Sequence, residues 1–175
     1  LPGPQIVVPG NHDISLYNVF RRFALPLERY KRYITEDLDP VFIDDEIAVL
    51  GVNTARSLTW KDGRVNKEQV EKIRATLAGL PKDVVRVVVT HHPFDLPEGA
   101  KEDDLVDRAR MAMDVFAESG VDLLMAGHLH QSHAGNTQAR YKISEYAALV
   151  VQAGTATSTR GRGEVNSFKI GRAHV

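Results

Sequence analysis

Asn11, His12 and Asp13 stand together in the stretch QIVVPGNHDIS, directly after an apolar run that Pro9 and Gly10 cut short. His91 and His92 follow a second apolar run, 84–90, and His128 and His130 follow a third, 121–125, in the string AGHLH. Imidazole nitrogen suits Zn, Fe, Mn or Ni, and an asparagine carbonyl oxygen adds a neutral, hard donor. Gly127 is expected to let the chain bend tightly, so that His128 and His130 reach two neighbouring positions. Pro93 discourages helix just after His91 and His92. Any one of these groups alone reads as an Asx turn or an ordinary polar side chain. Together, each at the carboxyl end of an apolar run, they read as a metal site.

The elements that must position them alternate between strand and helix. Residues 5–8 read as a short buried strand, and 16–23 and 27–33 as short helices broken by Pro26. Residues 41–43 and 47–52 read as strands turning at Asp44, Asp45 and Glu46. The stretch NKEQVEKIRATLAGL is an amphipathic helix that Asn66 can cap, with Gln69 completing a capping box. Its apolar face carries Val70, Ile73, Leu77 and Leu80. The run 84–90 is nearly all apolar, as a strand covered on both faces should be. A further helix is expected from a cap at Asp103 or Asp104, burying Leu105, Ala109, Ala112, Met113 and Phe116 and ending at Gly120. Later strands are expected within AALVVQAGT and EVNSFKI. The alternation implies an α/β layered fold. In open α/β sheets, ligands bind outside the carboxyl ends of the strands, so the three polar tips should meet at one place.

Composition sets outer bounds. The chain has 175 residues, 43% of them hydrophobic and 26% charged, as expected of one globular domain with a core. The net charge of −1 gives no bulk attraction to nucleic acid or to an anionic membrane. No apolar run reaches the ~18 residues of a membrane span. The absence of cysteine excludes disulfides and thiolate metal sites and fits a reducing compartment, so a cytoplasmic location is expected.

Three strings carry a resemblance: GNHD at 10–13, THHP at 90–93 and GHLH at 127–130. In order and strand context they resemble the last three of the five motifs of the calcineurin-like metallophosphoesterases. The resemblance implies a four-layer αββα sandwich and two divalent metal ions (Mn, Fe or Zn) that clamp a phosphoester and activate water. It implies that Asn11, His91 and His128 bind one ion and His130 the other. His12 would stand beside the leaving group with Asp13 orienting it, and His92 would not be a ligand. The general look also resembles bacterial cyclic-nucleotide phosphodiesterases of this family.

The family's first two motifs, Asp-x-His and Gly-Asp-x-x-Asp or its Asn variant, are absent. The chain opens on Leu1, and residues 1–9 hold no Asp, Glu or His. The expectation is therefore a domain over 1–169 that lacks its first βαβ portion, inactive by itself, with the missing ligands upstream in a longer parent. The closing string IGRAHV, residues 170–175, is what one reading frame of a common sequencing adapter encodes and is expected to be non-native. His174 falls within it and is set aside.

The expected substrate is a small phosphoester, with a nucleotide among the candidates. Residues 17–33 mix aromatics with Arg21, Arg22, Arg29, Lys31 and Arg32. They either roof the site against a base or phosphate, or form a solvated cap with the aromatics turned inward. Arg160 and Arg162, in a Gly-rich stretch, either reach a phosphate or sit in an ordinary loop. Two alternatives remain: a non-catalytic interaction scaffold on the same fold, or a nuclease of the same superfamily. The complete ligand set in this segment favours an enzyme, and the net charge does not favour a polynucleotide partner.

Overall fold

A computed structural model describes residues 3–15, 18–57 and 63–156. The sheet has six strands: β1 (Val41–Ile43), β2 (Ile47–Val52), β3 (Val85–Thr90), β4 (Leu123–Ala126), β5 (His133–Asn136) and β6 (Leu149–Gln152), in spatial order β1-β2-β3-β4-β6-β5. β2, β3, β4 and β6 run parallel, and β1 and β5 close the edges antiparallel. The expected α/β class is borne out. This sheet is the one present among the described residues, where a four-layer sandwich implies two.

Two longer helices lie on one face. α3 (Lys67–Leu77) begins at Asn66, whose side chain accepts from Gln69 N at 2.8 Å, while Gln69 Oε1 accepts from Asn66 N at 3.1 Å. Such a cap contributes ~1 kcal/mol. α3 buries Val70, Ile73 and Leu77, and α4 (Ala109–Glu118) buries Ala112, Met113 and Phe116, against Ala48, Leu50, Val88, Leu124 and Val150 of the sheet. The opposite face is only partly covered. Val87 is buried there, but Val85, Met125 and Leu149 are exposed, so the run 84–90 is covered on both faces only at its centre.

Several expectations are corrected. Residues 5–8 form no strand, and Val7 is exposed. A strand needs a neighbour for its backbone groups. β2 is already paired with β3 on one side and β1 on the other. The segment is instead tethered by Tyr30, whose hydroxyl donates to Val7 O at 3.0 Å. The helix expected from Asp103 or Asp104 splits into a 3-10 turn, Glu102–Asp104, and α4. Between them, Val106 N donates to Pro93 O, and Asp107 bonds through its backbone to Gly63 and Val65. Those cross-chain bonds hold the backbone out of helix until Arg108. β5 and a short helix α5 (Gln138–Tyr141) lie where no element was expected. The string HAGNT has no apolar periodicity to announce them.

The short helices α1 (Val19–Ala24) and α2 (Glu28–Tyr33) flank Pro26 as expected, with Asn18 capping α1. Of their aromatics, Tyr30 alone turns inward. Phe20, Phe23 and Tyr33 are exposed, whereas Arg22 and Tyr30 are buried. The strand expected in EVNSFKI, the loop with Arg160 and Arg162, and residues 170–175 lie outside the described residues.

Candidate metal centre

The parallel strands share one carboxyl edge, and the chemistry gathers there. Val52 pairs with Thr90 and Val89 with Met125, so the strand ends are in register. The loops beyond them therefore start side by side: Asn53 and Thr54 after β2, His91 and His92 after β3, Gly127 to His130 after β4. Gly127 N donates to His91 O at 3.1 Å and joins two of these loops directly.

Asn11 arrives from outside the sheet on a 3-10 turn, Asn11–Asp13. Asp13 Oδ2 accepts from Gly10 N at 2.8 Å, which closes the turn and leaves His12 exposed at its tip. Gly10 packs on the His91 ring. A Cβ built there would lie 2.8 Å from His91 Cε1 and Nδ1, so any larger residue would push the turn off the site.

The result is a tight cluster. Asn11 Oδ1 lies 3.0 Å from His91 Nε2, and His128 Nδ1 lies 3.2 Å from the same atom. A cation bound at ~2.0–2.1 Å sets adjacent ligand atoms ~3.0–3.4 Å apart. The three donor atoms already have that spacing. They are lone-pair donors of the kind first-row divalent ions prefer, and one proton on His91 Nε2 would have to serve both neighbours, whereas a cation would engage all three. The donor set fits a metal ion. One ring nitrogen each from His91, His92 and His128 also lies within 4.8 Å of the others. His92, set aside as a ligand from the sequence, thus stands inside the cluster.

Burial pushes the His91 imidazole down to about 3, and the neighbouring charges of His128, His12 and His130 push it the same way. His91 is therefore neutral near pH 7, as a ligand must be. Below the ordinary value of 6.5 the unfolded chain protonates this residue and the folded chain does not, until about 3. Metal-free protein is therefore expected to lose stability progressively as pH falls through that window. Denaturant titrations across that pH range measure it, and a flat profile would contradict the burial.

The bend at the third motif is not supplied by Gly127. His128 and His130 themselves adopt positive φ, 70° and 56°. That conformation is uncommon for a residue with a side chain and recurs at functional sites, where the surroundings hold it. Part of the holding is visible. Asp95, nearly buried, accepts from Arg140 Nε at 2.8 Å and lies 3.4 Å from His133 Nε2. Arg140 also reaches Glu102 at 2.8 Å. Tyr141 donates its hydroxyl to Phe94 O at 2.6 Å, and the Gln152 amide donates to Asp95 O. This network pins the loop after His91 and His92 to the start of β5, just beyond His130. Sequence reasoning missed Asp95, Arg140 and Thr54. Thr54 alone had a signal, since it follows an apolar strand as the histidines do.

No helix among the described residues is long and apolar enough to cross a membrane. No curated protein matches the sequence in direct comparison. A family model, calcineurin-like phosphoesterase, matches residues 1–132, more than half of the chain. The match takes in the turn with Asn11 and both loops that bring His91 and His128 to it, and the chain belongs to the calcineurin-like phosphoesterase family.

Proposed function

We propose that this chain is the core of a metal-dependent phosphodiesterase with two divalent ions. The observation that carries the reading is the spacing of Asn11 Oδ1, His91 Nε2 and His128 Nδ1 at 3.0 and 3.2 Å. Asn11, His91 and His128 hold one ion, and His130 reaches the other. When bound, such a pair stabilises charge on the phosphoryl oxygens and activates water. His12 gives its proton to the departing oxygen. Asp13 orients His12 by closing the turn that carries it.

The space beside His12 supports a small substrate. A cavity of about 310 Å³ is lined by His12, Asp13, Ser15, Asn18, Arg21 and Arg29, among others. A larger one of about 640 Å³ shares Leu25, Pro26 and Glu28 with it and adds Lys31, Arg32 and Arg56. Their sizes fall in the range of small-molecule sites, and a nucleotide combines the anionic and apolar parts that this wall can meet.

The test is hydrolysis of bis(p-nitrophenyl) phosphate by the full-length protein with added Mn²⁺ or Zn²⁺, alongside metal analysis. Turnover that chelation abolishes, with two ions per chain, is the expected result. Metal binding without hydrolysis of any phosphoester would point to the scaffold alternative.

A further inference from the structure

His92 has no part in the mechanism above, yet it stands inside the cluster and is fully buried, as is Thr54 beside it. Their contacts fix which ring nitrogen carries the proton. The His92 backbone N–H donates to Thr54 Oγ1 at 3.3 Å, so that oxygen acts as an acceptor there. The same oxygen lies 2.8 Å from His92 Nδ1. A buried hydroxyl must also place its own hydrogen. Among the described residues, the acceptor within reach of Thr54 Oγ1–H is His92 Nδ1. The Nδ1 lone pair is therefore taken by the hydroxyl, and a neutral imidazole then carries its hydrogen on Nε2. Neither nitrogen keeps a free lone pair for a metal.

We propose that His92 is a positioning residue of the metal centre, locked by Thr54 as the Nε2–H tautomer, so that it braces the ligand rings by packing and offers the centre no ligand atom. This rests on the reading of the cluster as a metal site. The rings it braces pack directly on it, with centroids 4.8 Å away and edge-on for His91 and 4.6 Å away and tilted for His128. A ligand held in place by such a neighbour keeps its own orientation, and loss of an outer-shell partner of this kind lowers metal affinity by ~10–100-fold.

The rest of the setting serves the same lock. The in-register ends of β2 and β3 bring Thr54 opposite His92. Gln69 Nε2 donates to Asn53 O at 2.8 Å and steadies the loop that carries Thr54, and Arg64 N donates to Thr54 O at 2.9 Å. Gly63, next to Arg64, lies flat against the ring. A Cβ built there would come within 2.2 Å of His92 Nδ1 and 2.3 Å of Cγ, so neither the ring nor the loop has room to shift.

The experiment is ¹⁵N NMR of the histidine rings in the full-length protein, without metal and then with Zn²⁺, for wild type, Thr54→Ser, Thr54→Val and Gly63→Ala. Wild type and Thr54→Ser should show His92 with a protonated Nε2 and a pyridine-like Nδ1, unchanged by Zn²⁺, while His91 and His128 shift. Thr54→Val and Gly63→Ala should lose that pattern and bind Zn²⁺ ~10–100-fold more weakly. His92→Gln should keep the wild-type metal count. A wild-type His92 protonated on Nδ1, a Zn²⁺-induced shift of its Nε2, or loss of one metal per chain in His92→Gln would overturn the proposal, even if a valine variant fails to fold. Absence of any Zn²⁺ binding by wild type would instead remove the metal reading itself, and this inference with it.

Discussion

Replacing His91 with alanine is expected to remove one metal ion per chain and to lower phosphodiester turnover by more than the ~10–100-fold that loss of an outer-shell partner costs. The reason is its place in the cluster. His91 Nε2 is the atom that both Asn11 Oδ1 and His128 Nδ1 approach, at 3.0 and 3.2 Å. Without it, the two remaining donors have no shared third ligand, and the Asn11 turn loses the ring on which Gly10 rests. A second readout separates this from simple damage. The desolvated imidazole costs stability below pH 6.5 in metal-free wild type, and the alanine variant lacks that cost. The variant should therefore bind metal poorly yet lose less stability on acidification than wild type. Full metal occupancy in His91→Ala would show that the cluster is not the centre. A uniformly unstable variant with no change in the pH profile would show that His91 acts only in packing.

His12→Ala should act differently, sparing metal and reducing chemistry. His12 is exposed at the tip of its turn and lines the cavity of about 310 Å³. General acid help is worth ~10²–10⁴ in rate, and it matters most where the departing oxygen is a poor leaving group. Turnover of an alkyl phosphodiester should fall by that order, while a nitrophenyl diester should fall much less. The metal count should not change. Equal losses for good and poor leaving groups would refute the proton-donor role. Loss of metal would move His12 into the ligand set.

The contrast between these variants reflects two kinds of residue at one sheet edge. In the proposed centre, ligands are held by packed backbone and by each other, whereas a proton donor needs freedom and solvent. The network of buried Asp95 with half-buried Arg140 and exposed Glu102 belongs to the first kind. It pins the loops rather than meeting substrate.

Much of this was legible in the residues alone. An apolar run that stops at a polar tip announces a strand end, because a buried strand cannot carry unpaired side-chain donors into the core. That physics placed His91 and His128 beyond the ends of β3 and β4, although the run before Asn11 forms no strand, and the helix periodicity and capping residues located α3 to within a residue or two. Local signals do not encode pairing. Whether residues 5–8 form a strand depends on a free neighbouring edge, and β1 occupies the one beside β2. Where α4 starts depends on bonds from residues 106 and 107 to distant loops, which outweighed the acidic caps before it. The outward turn of Phe20 and Phe23, with Arg22 buried, runs against what residue type alone suggests. The partnership of Thr54 with His92, 38 positions apart, exists because β2 and β3 lie in register. The residue types thus determined which chemistry is possible, because a side chain's donor atoms and apolar area are its own. The tertiary structure decided which of those atoms meet, because separation, burial and tautomer are properties of pairs that only folding brings together.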